Sequence, residues 1–207
     1  NYNAHMREND QRNFIFQGLN NSDDNDIILI SDVDEIPNLE NINLKSIKNK
    51  IILFEQDIFY YKLNRYLPNF TWFGTKACKK KDLISPQWLR SIKNNKYPFF
   101  RFDTLLKYIN KFYVKNGGWH FSNLKDASNI EIKLKSYLHY VDYKFEELGK
   151  DKIDYLIKNN MTIYDMFADK SSKKYADNKR KKLEKYDLNK LPKFIRGNIN
   201  KYKSWID

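Results

Sequence analysis

Three carboxylates follow a short run of branched aliphatic residues near the amino end of the chain. Residues 27–30 read Ile-Ile-Leu-Ile, and Asp32, Asp34 and Glu35 come shortly after them. The aliphatic run is too short to cross a membrane and has no helical stripe, so it predicts a buried β-strand. We therefore expect the three carboxylates where that strand emerges from the core.

The spacing of Asp32 and Asp34 predicts a shared divalent cation. Side chains two apart in an extended segment point to the same side, so both carboxylates would face one point while Val33 turns back into the core. Oxygen ligands of this kind suit Mg²⁺ or Mn²⁺, which keep coordination positions open for substrate phosphates. Glu35 would point to the opposite side, where a salt bridge or a turn hydrogen bond is as reasonable as catalysis. The spacing alone is equally compatible with a solvated strand end.

A second candidate site lies at residues 117–122, which read Gly-Gly-Trp-His-Phe-Ser. The His120 imidazole is a good ligand for Mn²⁺, and the two glycines before Trp119 allow a close backbone approach to a ligand or an irregular turn. Trp119 could stack on the face of a sugar, although large aromatic side chains more often lie in the core. A structural histidine packed beside Trp119 is the alternative for His120.

The two candidate sites and three further segments of the chain form a pattern that matches one enzyme family. They are Asp-Ile-Ile-Leu-Ile-Ser-Asp-Val-Asp-Glu-Ile-Pro at 26–37, Arg-Glu-Asn-Asp-Gln-Arg-Asn at 7–13, the glycine-tryptophan-histidine segment at 117–122, Ile-Lys-Leu-Lys-Ser at 132–136 with His139, and Leu191-Pro192 with Asn198. Together they resemble glycosyltransferase family 17, which contains the β-1,4-mannosyl-glycoprotein N-acetylglucosaminyltransferases. The resemblance runs through the whole chain.

The resemblance implies an α/β protein with a GT-A-like fold, in which a Rossmann-type mixed sheet with helices binds a nucleotide sugar. Family members carry strands before the segment at 7–13, so we expect strands upstream of Asn1 to be missing here and to belong to the working domain. We expect a single domain over 1–207, with an α/β catalytic part at 1–142 and a helical C-terminal part at 143–207.

The implied activity is the metal-dependent transfer of a sugar, GlcNAc from UDP-GlcNAc, to a hydroxyl group of a glycan or glycoconjugate, with inversion. The cofactor would be Mn²⁺ or Mg²⁺, held by Asp32, Asp34 and His120. The cation would neutralise the diphosphate leaving group, and Glu35 would be the base that takes the acceptor proton. Asp34 and Glu35 are accordingly the predicted catalytic residues.

Several further residues are candidates for contact with the donor. These are Asp32, Arg7, Arg12, Trp119 and His139, with Arg101 as a further candidate for the diphosphate. The guanidinium fork suits a diphosphate. An ordinary ion pair is the alternative for each arginine, and a packed histidine among aromatic residues is the alternative for His139.

The composition leaves two other functions open. The formal net charge of +12 and the basic run at 179–182 with Lys173 and Lys174 would suit a nucleic-acid-binding protein, but no recognition motif accompanies them. The chain is rich in Asn, Lys, Ile and Tyr, a bias typical of an A/T-rich genome, so we expect no nucleic acid partner. An inactive relative that only binds glycan is the third possibility.

The expected location follows from what the sequence contains. Cys78 is the one cysteine and forms no intramolecular disulfide, which favours a reducing compartment. No apolar run has the length of a transmembrane helix. We expect a soluble cytoplasmic protein, or one in the Golgi lumen if an anchor precedes this sequence.

Local patterns predict the elements that position these residues. Helices are expected at 4–19, where Glu8 and Arg12 form a favourable pair, at 143–159, and along the lysine-rich stretch 173–207. Strands are expected at 27–30, 51–54 and 58–63. A short helix or turn is expected at 44–50, and a loop followed by a short helix at 71–90.

Overall fold

The computed structural model describes residues 2–94, 111–136, 143, 147–164 and 180–207. Among these residues, seven strands belong to one sheet: β1 (Ile27–Ile30), β2 (Glu35–Pro37), β3 (Ile51–Tyr60), β4 (Arg65–Trp72), β5 (Lys76–Lys79), β6 (Lys111–Ser122) and β7 (Glu184–Lys185). The strand order is β1-β5-β3-β4-β7, and β6 pairs with β2 and β3. The β1–β5, β2–β6, β3–β5 and β4–β7 ladders are antiparallel.

Helices accompany the sheet. The α-helices are α1 (Tyr2–Phe14), α2 (Pro86–Ser91), α3 (Ala127–Ser136), α4 (Gly149–Lys158) and α5 (Lys193–Arg196). Short 3-10 helices lie at Ile15–Leu19, Leu44–Ser46, Lys80–Asp82, Leu188–Lys190 and Ile199–Trp205. The predicted α/β class is confirmed, and the architecture is consistent with a GT-A-like fold. Within the described ranges, no helix has the length and apolar character needed to cross a membrane.

The strand at 27–30 is confirmed, but the two strands expected at 51–54 and 58–63 are one continuous strand, β3. Glu55 and Asp57 interrupt the apolar pattern because they occupy partly exposed positions on a strand that is otherwise buried. Strand β5 was not predicted. Its sequence, Lys-Ala-Cys-Lys, carries no strand signal, yet it lies between β1 and β3 and is mostly buried.

The expectation of a helix along the lysine-rich end is wrong for residues 180–207. This segment contains β7, α5 and two 3-10 helices instead. Lysine-rich composition favours a helix only weakly, because the side chains that pack decide the conformation. Leu183 is buried in the core, and Pro192 permits a new helix only after it.

The chain divides into two compact units, each with its own core. One comprises Asn1–Asp57 and Thr71–His120, and the other comprises Ile58–Phe70 and Phe121–Asp207. The first contains a cluster of buried residues from β1, β3, β5 and α2, with Leu53 and Leu89 fully buried. In the second, apolar residues of α3 and α4 pack with Ile58, Leu67 and other residues. The predicted single domain with a division at 142 stays a prediction.

Candidate active site

The carboxylate segment forms a tight turn after β1. The amide of Glu35 donates a hydrogen bond to the carbonyl of Asp32 at 3.0 Å, which closes the turn. Val33 is fully exposed. The expectation that Val33 turns back into the core is therefore wrong, because the chain reverses direction before the alternation of an extended strand can place it there.

Glu35 is the buried centre of this turn. Its side chain is only 1% exposed. One carboxylate oxygen accepts a hydrogen bond from the Asp32 amide at 2.9 Å, and the other accepts from the Trp72 indole Nε1 at 2.7 Å. Arg90 donates to both oxygens, at 3.0 and 2.6 Å. The salt bridge that was an alternative to catalysis for Glu35 is thus present. The role of Glu35 as a base stays a prediction.

Arg90 ties this carboxylate to its neighbour. Its guanidinium also donates to Asp32 Oδ2 and to the carbonyl of Gly74. Burial alone would lower the pKa of Arg90, but the charges and hydrogen bonds of Glu35 and Asp32 outweigh it, so the pKa is raised. The guanidinium therefore stays charged and holds two carboxylates on one turn.

Helix α2 positions Arg90 through ordinary capping. Ser85 is the N-cap, with its hydroxyl accepting from the Trp88 amide at 3.0 Å, and Pro86 occupies the first turn. Arg90 lies in the last turn. The sequence predicts the short helix, but not the importance of Arg90, because its carboxylate partner lies 55 residues away in the chain.

Arg12 approaches Asp32 from α1. It donates to Asp32 Oδ1 at 3.3 Å, to the Gln87 side chain at 2.6 Å and to Glu8 at 3.0 Å, which confirms the predicted pair with Glu8. Both oxygens of Asp32 thus face a guanidinium group. Arg7 is exposed on the same helix. The donor-binding roles of Asp32, Arg7 and Arg12 stay predictions.

Pairing of β2 with β6 brings the second motif to the turn. Glu35 is opposite His120 in this ladder, and Pro37 is opposite Gly118. His120 Nε2 lies 3.4 Å from Asp34 Oδ2, and the rings of His120 and Trp72 are 4.9 Å apart. The structure thus joins two of the three predicted metal ligands, while Asp32 contacts the arginines instead.

The glycines of this motif serve the sheet. Gly118 has φ +139°, and a Cβ at this position would lie 2.1 Å from the carbonyl oxygen of Ile36. A side chain is excluded because the backbone of β2 passes so close. Trp119 beside it is buried, with 7% of its surface exposed. Its predicted stacking on a sugar stays a prediction.

Asp34 and His120 form a pair of potential ligands for a divalent cation such as Mn²⁺. Within the described part of the chain, no three His, Cys, Asp or Glu side chains form a metal-binding group. Asp34 and His120 nevertheless offer one carboxylate oxygen and one imidazole nitrogen at close range. Mg²⁺ commonly has one or two protein ligands and takes the rest from water and substrate phosphates. Two ligands therefore fit a cation that binds together with a diphosphate.

Lys76 supports the site from β5. It is buried, and its ammonium donates to the carbonyls of Arg90 and Ile92 at the end of α2, the latter at 2.6 Å. The pKa of Lys76 is lowered to about 7, mainly by burial and also by the Arg90 guanidinium, while the charges of Glu35 and Asp32 oppose this. The lysine thus fixes the backbone of the residue whose side chain holds the turn.

We expect the free energy of unfolding to rise as the pH increases from about 7 to about 10.5. In this window the folded protein releases the Lys76 proton while the unfolded chain keeps it, so each pH unit adds at most about 1.4 kcal/mol. Urea unfolding at about pH 6.5 and about pH 9.5 measures this rise. Lys76→Met should largely remove it, whereas exposed Lys48→Met should retain it. An equal rise in both variants would contradict the assignment to Lys76.

Two predicted site residues, His139 and Arg101, lie outside the described residues, as do Lys173 and Lys174 of the basic run. Arg180, which belongs to that run, is 7% exposed and donates to the carbonyl of Ile163. Trp72, Arg90 and Lys76 are site residues that the sequence did not predict.

The Asp-x-Asp turn of this α/β protein thus lies beside an imidazole and two guanidinium groups, side chains of the kinds that bind metal ions and phosphates. The family model of glycosyltransferase family 17 matches residues 1–206. The chain therefore belongs to glycosyltransferase family 17, as its motifs predict, and as a glycosyltransferase it takes a sugar donor and a glycan acceptor. No curated protein and no solved structure matches it.

Proposed function

We propose that this protein is a metal-dependent, inverting N-acetylglucosaminyltransferase that moves GlcNAc from UDP-GlcNAc to a hydroxyl group of a glycan. Family membership supports the transfer chemistry. The observation that carries the metal-dependent part is the 3.4 Å contact between Asp34 Oδ2 and His120 Nε2 at the Asp-Val-Asp turn. The choice of GlcNAc and UDP rests on the resemblance to the N-acetylglucosaminyltransferases.

Asp34 and His120 would hold the cation, Mn²⁺ or Mg²⁺. A bound divalent ion neutralises the negative charge of a diphosphate leaving group. Imidazole nitrogen with carboxylate oxygen suits Mn²⁺ somewhat better than Mg²⁺, which prefers oxygen ligands alone. Mn²⁺ is therefore the first ion to test.

The arginines would position the diphosphate of the sugar donor. The side chains of Arg12 and Arg90 are 15% and 11% exposed, and Arg90 binds two carboxylates, those of Glu35 and Asp32. We assign the contact with the diphosphate to Arg12, and Arg90 would maintain the turn. Asp32, held by both, would accept a hydrogen bond from the ribose of the donor.

The proposed reaction is a single displacement. The acceptor oxygen forms a bond to the anomeric carbon while the bond from that carbon to the UDP oxygen breaks, and the electron pair leaves with UDP. The hydroxyl proton passes to a base as the new bond forms. Attack from the face opposite the leaving group inverts the configuration, so an α-linked donor gives a β-linked product.

We expect UDP-GlcNAc to be the preferred donor and the product to be β-linked. The test is a screen of nucleotide sugars with a panel of glycan acceptors in Mn²⁺, followed by NMR of the anomeric proton. Chelation with EDTA should abolish transfer. An α-linked product, or preference for a purine-nucleotide sugar, would refute the donor and stereochemical assignments, and full activity in EDTA would refute the metal dependence. Glycan binding without transfer or donor hydrolysis would favour the inactive relative.

A further inference from the structure

We infer that Trp72 is a positioning residue that holds the His120 imidazole in place against Asp34. The inference rests on the proposed function, because it concerns the same Asp34 and His120 pair. It assigns a role to a tryptophan of β4 that contacts His120 and Glu35 and that the motifs of the sequence do not include.

The indole of Trp72 is anchored at its polar edge. Its Nε1 donates a 2.7 Å hydrogen bond to Glu35 Oε1. Glu35 is itself fixed, because Arg90 binds both of its carboxylate oxygens and the Asp32 amide binds one of them. The anchor is therefore a charged group that cannot rotate without breaking several hydrogen bonds.

The ring of Trp72 covers His120. The two ring centres are 4.9 Å apart and the ring planes differ by 35°, so the indole packs partly over the imidazole. Pairing of β2 with β6 fixes the backbone of His120 but leaves rotation of its ring undetermined. Contact with a second ring is what limits that rotation.

The second nitrogen of His120 makes this contact necessary. A metal-binding histidine usually donates its other ring N–H to a carboxylate, a carbonyl or water, and that hydrogen bond sets the ring orientation. Within the described residues, the buried Nδ1 of His120 has no hydrogen-bond partner. Nε2 of His120 faces Asp34, and its Nδ1 makes no hydrogen bond within the described part of the chain. Packing against the face of Trp72 therefore sets the orientation of the imidazole ring.

The hydrogen bond to Glu35 explains why the residue is tryptophan. A phenylalanine ring could cover the same imidazole face, but it has no N–H with which to bind the Glu35 carboxylate. Trp72→Phe should therefore keep much of the packing against His120. The phenylalanine ring, which has no hydrogen bond to Glu35, should be free to move. Loss of such a support typically weakens a metal site by about tenfold to a hundredfold, and we expect the lower figure because part of the ring contact remains.

The test is the affinity of the full chain for Mn²⁺ in the presence of UDP, measured by electron paramagnetic resonance of free Mn²⁺. Trp72→Phe should raise the dissociation constant about tenfold. Trp88→Phe is the matched control, because the Trp88 Nε1 is buried and has no hydrogen-bond partner in the described part of the chain. It should leave the affinity unchanged. Thermal unfolding of each variant shows whether it is folded.

The imidazole NMR spectrum gives a readout that does not depend on metal. The chain has three histidines, and the spectrum of His120→Ala identifies the His120 signals. Trp72→Phe should shift and broaden them, and Trp88→Phe should not. In the wild-type protein the Trp72 indole N–H should exchange slowly with water, which needs no substitution and keeps the inference testable if Trp72→Phe does not fold.

The outcomes separate the two proposals. Unchanged Mn²⁺ affinity and unchanged His120 signals in folded Trp72→Phe would overturn the role of Trp72, as would indole exchange as fast as that of free tryptophan. Wild-type affinity in His120→Ala, or no Mn²⁺ binding by the wild type, would instead overturn the proposed metal site. In that case the His120 signals alone would decide whether Trp72 orients the imidazole.

Discussion

Asp34→Asn is expected to weaken Mn²⁺ binding and to lower the transfer rate by at least about a hundredfold. The substitution keeps the size of the side chain but removes the negative charge that faces His120 at 3.4 Å. In the proposed reaction, the charge of the leaving diphosphate develops beside this pair. An interaction of this kind is strongest in the transition state, so its loss affects the rate more than substrate binding.

Asp154→Asn provides the matched control for Asp34→Asn. It makes the same change of charge at a helical pair with Lys158, where the Asp154 side chain is 45% exposed. Rate and Mn²⁺ affinity should stay at wild-type values. Steady-state kinetics and Mn²⁺ titration of both variants complete the comparison. If Asp34→Asn keeps its Mn²⁺ affinity and its transfer rate, the Asp-Val-Asp turn is only a solvated end of β1.

The sequence predicted the elements whose signal is local. Residues 27–30 carry a continuous aliphatic run that predicts β1, and the short helix predicted at the end of 71–90 corresponds to α2. The motif at 117–122 was correctly placed near the carboxylates because the family resemblance joins them, although nothing local shows that it continues a strand.

The remaining site contacts depend on distant parts of the chain. Trp72 and Arg90 reach Glu35 across 37 and 55 residues, and neither separation leaves a pattern that can be read from one sequence. The prediction for Val33 was wrong because a hydrogen-bonded turn replaces the extended geometry immediately after β1. Burial of Glu35 follows from that same turn, together with a glycine at position 74, where a Cβ would lie 2.3 Å from the Glu35 carboxyl carbon.

Arg90→Met is expected to lower the free energy of unfolding by about 3–5 kcal/mol. The variant retains most of the side-chain volume and removes the cation that binds Glu35 and Asp32, so the 1% exposed Glu35 carboxylate is left without its charge partner. The carbonyl of Gly74 loses a donor as well. Urea unfolding measures the loss, with Lys50→Met as the control. That lysine is 56% exposed and lies 3.8 Å from Asp82, so its loss should cost less than about 1 kcal/mol.

A second substitution identifies the cause of the destabilisation. In the double variant Arg90→Met with Glu35→Gln, the buried carboxylate is replaced by a neutral amide that can still accept a hydrogen bond from Trp72. If the cost of Arg90→Met comes from an uncompensated buried charge, the double variant should recover part of the lost stability. If the cost comes from lost packing of the arginine stem, the two losses should add. A loss in Arg90→Met no greater than that of Lys50→Met would show that the turn is held without Arg90, and the anchor assigned to Trp72 would then depend on the Asp32 amide alone.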